Sequence, residues 1–445
     1  MSKLRMAHLG ITLVCTVFFS TLALAADKES PTKLSDLLPE DQHDISAALA
    51  RELPGLQNFT LTASDGVNGD YFGGSVAIDG NTVVVGAPNF VNHLTGEVYV
   101  FVKPGSSWKD MTQTAVLTAS DGADGANFGT AVAISGDTVV VGAPAANVNG
   151  NFAQGEAYVF VKPSKGWKST TETATLLATD GISYCAFGSG VGISGNTVVV
   201  GSPGGASNAG SSYIFVQPVG GWVDMTETAE LTASDGVDDD DFGAAASISG
   251  NTVIIGAQNE GTAIGSSYIF VEPPAGWANM TETAELTASD RMEGDYFGWS
   301  VSLSGNTAVV GSPYDGRGAA YVFVQPVTGW SSMTETAKLT APAGTEIGMS
   351  VAISPQAVVA GAPFTNPVHQ GAAYVFLKPD GGWKTTSKAN LALAIPFTNG
   401  FDNFGTGVGI SGKTGVVGAA SAPSSPPCNP KCKAGPGEAF VFVEQ

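Results

Sequence analysis

The chain has 445 residues, with 19 Lys or Arg against 40 Asp or Glu, a formal charge of −21 at pH 7. A surface this acidic repels phosphate backbones and excludes nucleic acid as a natural partner. Charged residues make up only 13% of the chain while Gly numbers 58, the usage of a strand-and-turn protein rather than a disordered one, and one large domain accounts for it.

In chain order, residues 1–25 place Lys3 and Arg5 ahead of an apolar run from Ile11 to Leu24, with Ala23 and Ala25 before Asp27. That order predicts a secretory signal peptide cleaved after Ala25. Cys15 follows Val14 rather than a small residue, which argues against a lipoprotein cleavage site. No later segment offers ~18 uninterrupted apolar residues, so no membrane span is expected, and the product is expected to be secreted, periplasmic or extracellular. Residues 26–56 form a charged lead-in without the later repeat. Pro39 at a first helical position and Ile45, Leu49 and Leu53 at four-residue spacing predict one short amphipathic helix there.

From residue 57 to 445 the chain repeats. An FG pair recurs at Phe72, Phe128, Phe187, Phe242, Phe297 and Phe404, with Ile347-Gly348 in the sixth place, at spacings of 50 to 59 residues. GAP or a near relative follows each at Gly86, Gly142, Gly201, Gly256, Gly311, Gly361 and Gly418. An aromatic strand comes next, carrying Tyr99, Tyr158, Tyr213, Tyr268, Tyr321, Tyr374 and Phe440. A fixed period means that a single unit cannot bury its own apolar faces and only a stack of units makes a core. Within a unit, "TAVAIS" and "TVVVGA" are strands joined by Gly136-Asp137, a two-residue hairpin connection; "AYVFV" is a third strand and segments such as "TAELTAS" a fourth. Four short antiparallel strands per unit predict an all-β, seven-bladed β-propeller. Asn58 begins a fourth strand with no blade of its own, and the chain stops after a third strand. The arrangement expected is Thr60 to Ala63 completing the last blade against Phe440 to Val443.

The unit "FG…SVAISGNTVVVGAP…AYVFV…W…AKLTASDG" resembles the FG-GAP repeat, the blade of integrin α-subunit heads and of many bacterial secreted proteins, over Asn58 to Gln445. The resemblance implies a propeller used mainly for extracellular binding, and no particular ligand. Integrin-type repeats that bind calcium carry an acidic loop between strands one and two. Here that place holds only a pair such as Gly-Asn, so that site is carried over to no residue of this chain.

The remaining candidates come from residue chemistry. Cys428 and Cys432 in "PPCNPKCKAGPG" read as a local disulfide of an exported loop; a metal site is the weaker reading, since two thiols without a nearby His are half a zinc shell. Cys185 has no repeat-equivalent partner. His43, His93 and His369 do not recur beside Ser, Asp or Cys, and no G-x-S-x-G elbow is present, so no catalytic residue is assigned. Trp108, Trp167, Trp222, Trp277, Trp330 and Trp383 recur once per unit and read as packing, with a ring of sugar-stacking platforms as the other reading. Trp299 is unique to its unit and stands as a ligand-binding candidate. The loops before each FG are acidic. Asp70, Asp124 and Asp295 are ligand-binding candidates, and Asp235, Asp238 and Asp240 a candidate site for weakly bound calcium, against the plainer reading of solvated Asp-Gly turns. Two functions follow: a monomeric, non-enzymatic binding or adhesion module for an extracellular protein or glycan, or an extracellular carbohydrate-active hydrolase or lyase with an acid pair in the central pit.

Overall fold

A computed structural model describes residues 56–89, 95–204, 209–342, 345–365, 370–394, 402–420 and 436–444. The signal segment, the lead-in before Leu56, His93, His369, Cys428 and Cys432 lie outside the described residues. Seven sheets of the expected order are present. Blade 1 runs from the inner strand Ser75–Asp79 through Thr82–Ala87 and Glu97–Val102 to the outer strand Ala115–Leu117. The inner strands of blades 2 to 7 are Ala131–Ser135, Gly190–Ser194, Phe242–Ser249, Ser300–Ser304, Ser350–Ile353 and Phe404–Ser411. Each lies beside the next, and the last lies beside the first, so the ring closes.

Closure uses the N-terminal strand. Leu56–Thr62 pairs antiparallel with Glu438–Glu444, from Leu56↔Glu444 to Leu61↔Ala439. The strand starts four residues earlier than the sequence suggests and ends at Thr62 rather than Ala63. Leu56 and Gln57 extend the strand along a partner that reaches Glu444, whereas the other outer strands are only three or four residues long.

The FG-GAP wording has a direct physical meaning. In blades 1, 2, 3, 5 and 6 the FG-position glycine donates its N–H to the carbonyl of its own GAP glycine, as in Gly129 N to Gly142 O at 3.0 Å and Gly73 N to Gly86 O at 3.1 Å. Its carbonyl meanwhile presses on the GAP glycine of the preceding blade. A Cβ placed on Gly86 would overlap the Gly129 carbonyl, and the last contact of the ring, Gly418 on the Gly73 carbonyl, is the same. The residue before each FG is not glycine, yet all seven stand at φ between 45° and 61°, among them Tyr71, Asn127 and Asn403. Left-handed backbone costs an L-residue roughly 1–2 kcal/mol, so this corner is held by its surroundings. The FG phenylalanines are the anchors: Phe72 meets Tyr99 edge-on at 5.4 Å and Phe101 at 6.1 Å, a geometry that recurs around the ring.

On the opposite face, each Trp hairpin seals a blade to its predecessor. Trp167 is buried among Val98, Val100 and Leu117 of blade 1 and Phe128 and Tyr158 of its own blade. The Met-Thr that follows such a Trp adds a short parallel strand to the preceding outer strand, as Met225–Thr226 does to Leu176 and Leu177. The next Glu caps the preceding loop, as Glu227 accepts from Thr179 N at 3.0 Å and Glu282 from Ser234 N at 2.9 Å. The tryptophans are thus packing residues. The interface of blades 6 and 7 contains none, and beside its cluster of Val359, Leu393, Val417 and Phe442 lies an open apolar groove of about 390 Å³.

This packing predicts that Gly142→Ala, which drives a methyl into the Gly188 carbonyl, destabilises by at least the upper end of the about 1–3 kcal/mol of an overpacked core. Gly136→Ala, whose Cβ would meet nothing within 4 Å, carries only the cost of its left-handed φ of 57° and should cost about 1–2 kcal/mol. Chemical denaturation of both variants checks the ranking.

Candidate functional site

Strand direction places the loop before each FG and the loop between strands two and three at one end of every blade. That end carries most of the irregular chain and all the acidic candidates. The third-strand tyrosine organises it. Its ring is buried under the FG phenylalanine and its hydroxyl reaches the Asp of the "SDG", "TDG" or, in blade 5, "SDR" turn: Tyr99 to Asp65 at 3.1 Å, Tyr158 to Asp121 at 3.0 Å, Tyr213 to Asp180 at 2.9 Å, Tyr268 to Asp235 at 3.0 Å and Tyr321 to Asp290 at 2.9 Å. A second acid joins the same hydroxyl in three blades: Glu97 at 2.5 Å from Tyr99, Glu156 on Tyr158 and Asp315 at 2.5 Å from Tyr321. Burial, then the adjacent carboxylates, push these phenols well above their ordinary range, so they remain neutral donors.

Blade 5 differs in holding a cation. Lys338, directly across the sheet from Tyr321, sits 2.7 Å from Asp290 Oδ2, forms an ion pair with Asp315, and lies 5.1 Å from the Tyr321 ring centroid. Burial acts against ionisation of Asp290, but the Lys338 and Tyr321 hydrogen bonds outweigh it and hold that carboxyl below its ordinary value. Burial opposes the ammonium of Lys338 too, and the two aspartates more than compensate.

The predicted residues separate by role. Asp70, Asp240 and Asp295 occupy equivalent places two residues before FG, are nearly fully buried, and accept the N–H of Val67 at 2.6 Å, Val237 at 2.7 Å and Met292 at 2.6 Å. They close their own turns. Asp235 is held by Tyr268, while Asp238 is exposed, so the three candidate calcium ligands face different partners; among the described residues no group of three or more His, Cys, Asp or Glu side chains is arranged to hold a metal. Asp124 is exposed and lines a cavity of about 460 Å³ with Asp65, Asp70 and Glu97. Cys185 is a buried free thiol at the place that Asp70 holds in blade 1. Trp299, half-buried, joins an edge-to-face trio with Tyr296 at 6.0 Å and Tyr314 at 6.0 Å, the two tyrosines 5.4 Å apart. Sequence reasoning missed Lys338 and the second acids Glu97, Glu156 and Asp315. The signal that could have found Glu97 and Glu156 is Glu two residues before the aromatic, since alternate strand residues share a face.

Burial raises the carboxyl pKa of Asp70, Glu156, Asp240 and Asp295. The folded state therefore binds protons that the unfolded chain has released, between the ordinary carboxylate range and the raised values, and stability falls as pH rises through that window. Lowering pH from neutrality into it should raise the melting temperature. Glu156→Gln should flatten the profile, and calorimetry across pH 7 to 5 checks it.

The FG-GAP repeat family model matches residues 56–101, 111–160, 170–215, 225–270 and 280–323, just over half the chain. A search of curated proteins returns no significant match. The first match opens on the outer strand Leu56–Thr62, which belongs to the last blade, and closes on the third strand of blade 1, so the sequence repeat is offset from the blade. With the Phe-Gly and Gly-Ala-Pro backbone contacts linking successive blades, the chain belongs to the FG-GAP repeat family.

Proposed function

We propose that this is a secreted, non-enzymatic binding or adhesion module that acts as a monomer outside the cell and contacts a protein or glycan through the loops at the acidic end of the propeller. The observation that carries the reading is the aromatic trio Tyr296, Trp299 and Tyr314. Tyr314 is 44% exposed, and three aromatic edges and faces gathered on a loop surface are the kind of rigid, low-entropy platform that sugars and protein side chains stack on. The predicted signal segment and the FG-GAP membership support export. No helix among the described residues is long and apolar enough to cross a membrane.

The carbohydrate-active alternative gains little from the geometry. The described inner strands are built mainly from Val, Ala, Ile, Gly and Ser, and their one acid, Asp79, accepts the Gly136 N–H at 2.6 Å at the opposite end of the blades. A pair of carboxylates flanking a sugar bond has no source there.

Glycan and extracellular-protein arrays probed with the exported protein test the reading. Trp299→Ala should weaken retention on any array hit at least tenfold and leave the melting temperature within a few degrees. Equal retention by the variant would remove the trio from the site, and turnover of an array polysaccharide would replace the binding reading with the enzymatic one.

A further inference from the structure

We propose that the cavity at the acidic end of blade 1, between Asp65 and Glu97, receives a primary ammonium group, the side chain of a lysine on a protein partner; this rests on the binding-module reading and specifies the partner's chemistry. The cavity measures about 460 Å³, and Asp65, Asp70, Asn89, Glu97, Tyr99 and Asp124 line it. None of its described lining residues is basic.

Its acceptors outnumber its donors. Tyr99 has one hydroxyl proton, yet Asp65 Oδ1 at 3.1 Å and Glu97 Oε2 at 2.5 Å both face the phenol oxygen. Asn89 is 8% exposed, gives its amide N–H to Asp70 Oδ1 at 3.0 Å, and leaves its own Oδ1 buried without a donor. A buried acceptor without a partner costs roughly 1–3 kcal/mol and is explained when a ligand supplies the N–H.

The same protein shows which group satisfies such a set. In blade 5, Tyr321 is again flanked by two acids, Asp290 and Asp315, and the Lys338 ammonium lies between them and near the ring. Lys338 is the residue across the sheet from Tyr321, and the residue across from Tyr99 is Val116. Blade 1 therefore repeats the phenol and the acid pair, and among the described residues none brings an ammonium to them. An ammonium is compact, donates three hydrogen bonds and accepts none, which suits a lining of carboxylates, an amide oxygen and an aromatic ring. The other blades are less suited. Glu156 of blade 2 is buried, and Glu230 and Glu285 of blades 3 and 4 accept from Ser211 at 2.8 Å and Ser266 at 2.9 Å.

The test is an NMR titration of the exported protein with n-butylammonium chloride at constant ionic strength, read at the Asn89 side-chain amide and the Val116 methyls. Saturable shifts at Asn89 are expected, and Val116→Lys, which transplants the blade 5 lysine, should weaken them at least tenfold. Asp65→Asn with Glu97→Gln gives the same loss if Val116→Lys does not fold. Reciprocally, Lys338→Ala should lower the melting temperature, and n-butylammonium should restore it where equal sodium chloride does not. Shifts that sodium reproduces, uptake unchanged in both blade 1 variants, or tighter saturation of the same reporters by calcium chloride would each overturn the proposal. Loss of probe binding alongside intact Trp299-dependent retention would overturn it alone and leave the binding-module reading standing.

Discussion

The contact on which the ring depends is a carbonyl pressed against a glycine. Each FG carbonyl faces the Cα of the preceding blade's GAP glycine, and any side chain at that glycine would occupy the oxygen's place. Seven such contacts set the spacing of the inner strands. The small residues of those strands, the left-handed corner before each FG and the buried phenylalanine behind it all serve to deliver that carbonyl to its position. Backbone polar groups inside a core must be paired, and in five blades the glycine N–H of the FG position is paired within its own blade at 2.9–3.1 Å, which fixes the inner strand as well as the interface.

This explains which parts of the protein could be read from residues alone. Gly129 and Gly142 admit no substitution by shape, so they persist in every unit and reveal both the period and the blade count. The left-handed φ at Tyr71 or Glu346 has no such signature, because tertiary packing rather than glycine holds it. The "TET" after Trp167, Trp222, Trp277 and Trp330 was equally visible, yet its meaning lies in the neighbouring blade: Glu172, Glu227, Glu282 and Glu335 cap Ser120, Thr179, Ser234 and Ser289 some 46 to 52 residues earlier. A contact between repeats looks in sequence like a feature within one. Asp70, Asp240 and Asp295 show the converse, since a carboxylate that closes its own turn has the same spelling in sequence as one that meets a ligand.

The two ends of the propeller differ in what holds them. At the Trp end, indoles, Met-Thr strands and Glu caps tie each blade to its predecessor, and the one junction without them, between blades 6 and 7, follows from the closure itself. The chain that would run from strand three to strand four of blade 7 is divided between the two ends of the sequence. At the acidic end, the loop between strands two and three pairs through its backbone with the FG corner of the next blade, as Phe128 N–H donates to Thr95 O and Phe187 N–H to Gln154 O, and in blades 1, 2 and 5 the strand-three tyrosine holds a second carboxylate besides that of the turn before it. Those interblade links are made by backbone, so side chains at this end can differ from blade to blade while the ring stays the same.

Charge is where that freedom is most evident. The second carboxylate comes from strand three in blades 1 and 2 as Glu97 and Glu156. It comes from strand four in blades 3 and 4 as Glu230 and Glu285, and from the loop in blade 5 as Asp315. Three different positions bring an acid to one place beside a tyrosine, although like charges so close repel and burial penalises each of them. Turn formation does not require this, because the SDG aspartate alone accepts the phenol proton. In blade 5 the cost is offset by Lys338. In blade 1 the pair Asp65 and Glu97 lines an open cavity instead, which makes this end, rather than the Trp end, the surface on which a cationic partner gains most from the chain's own charge.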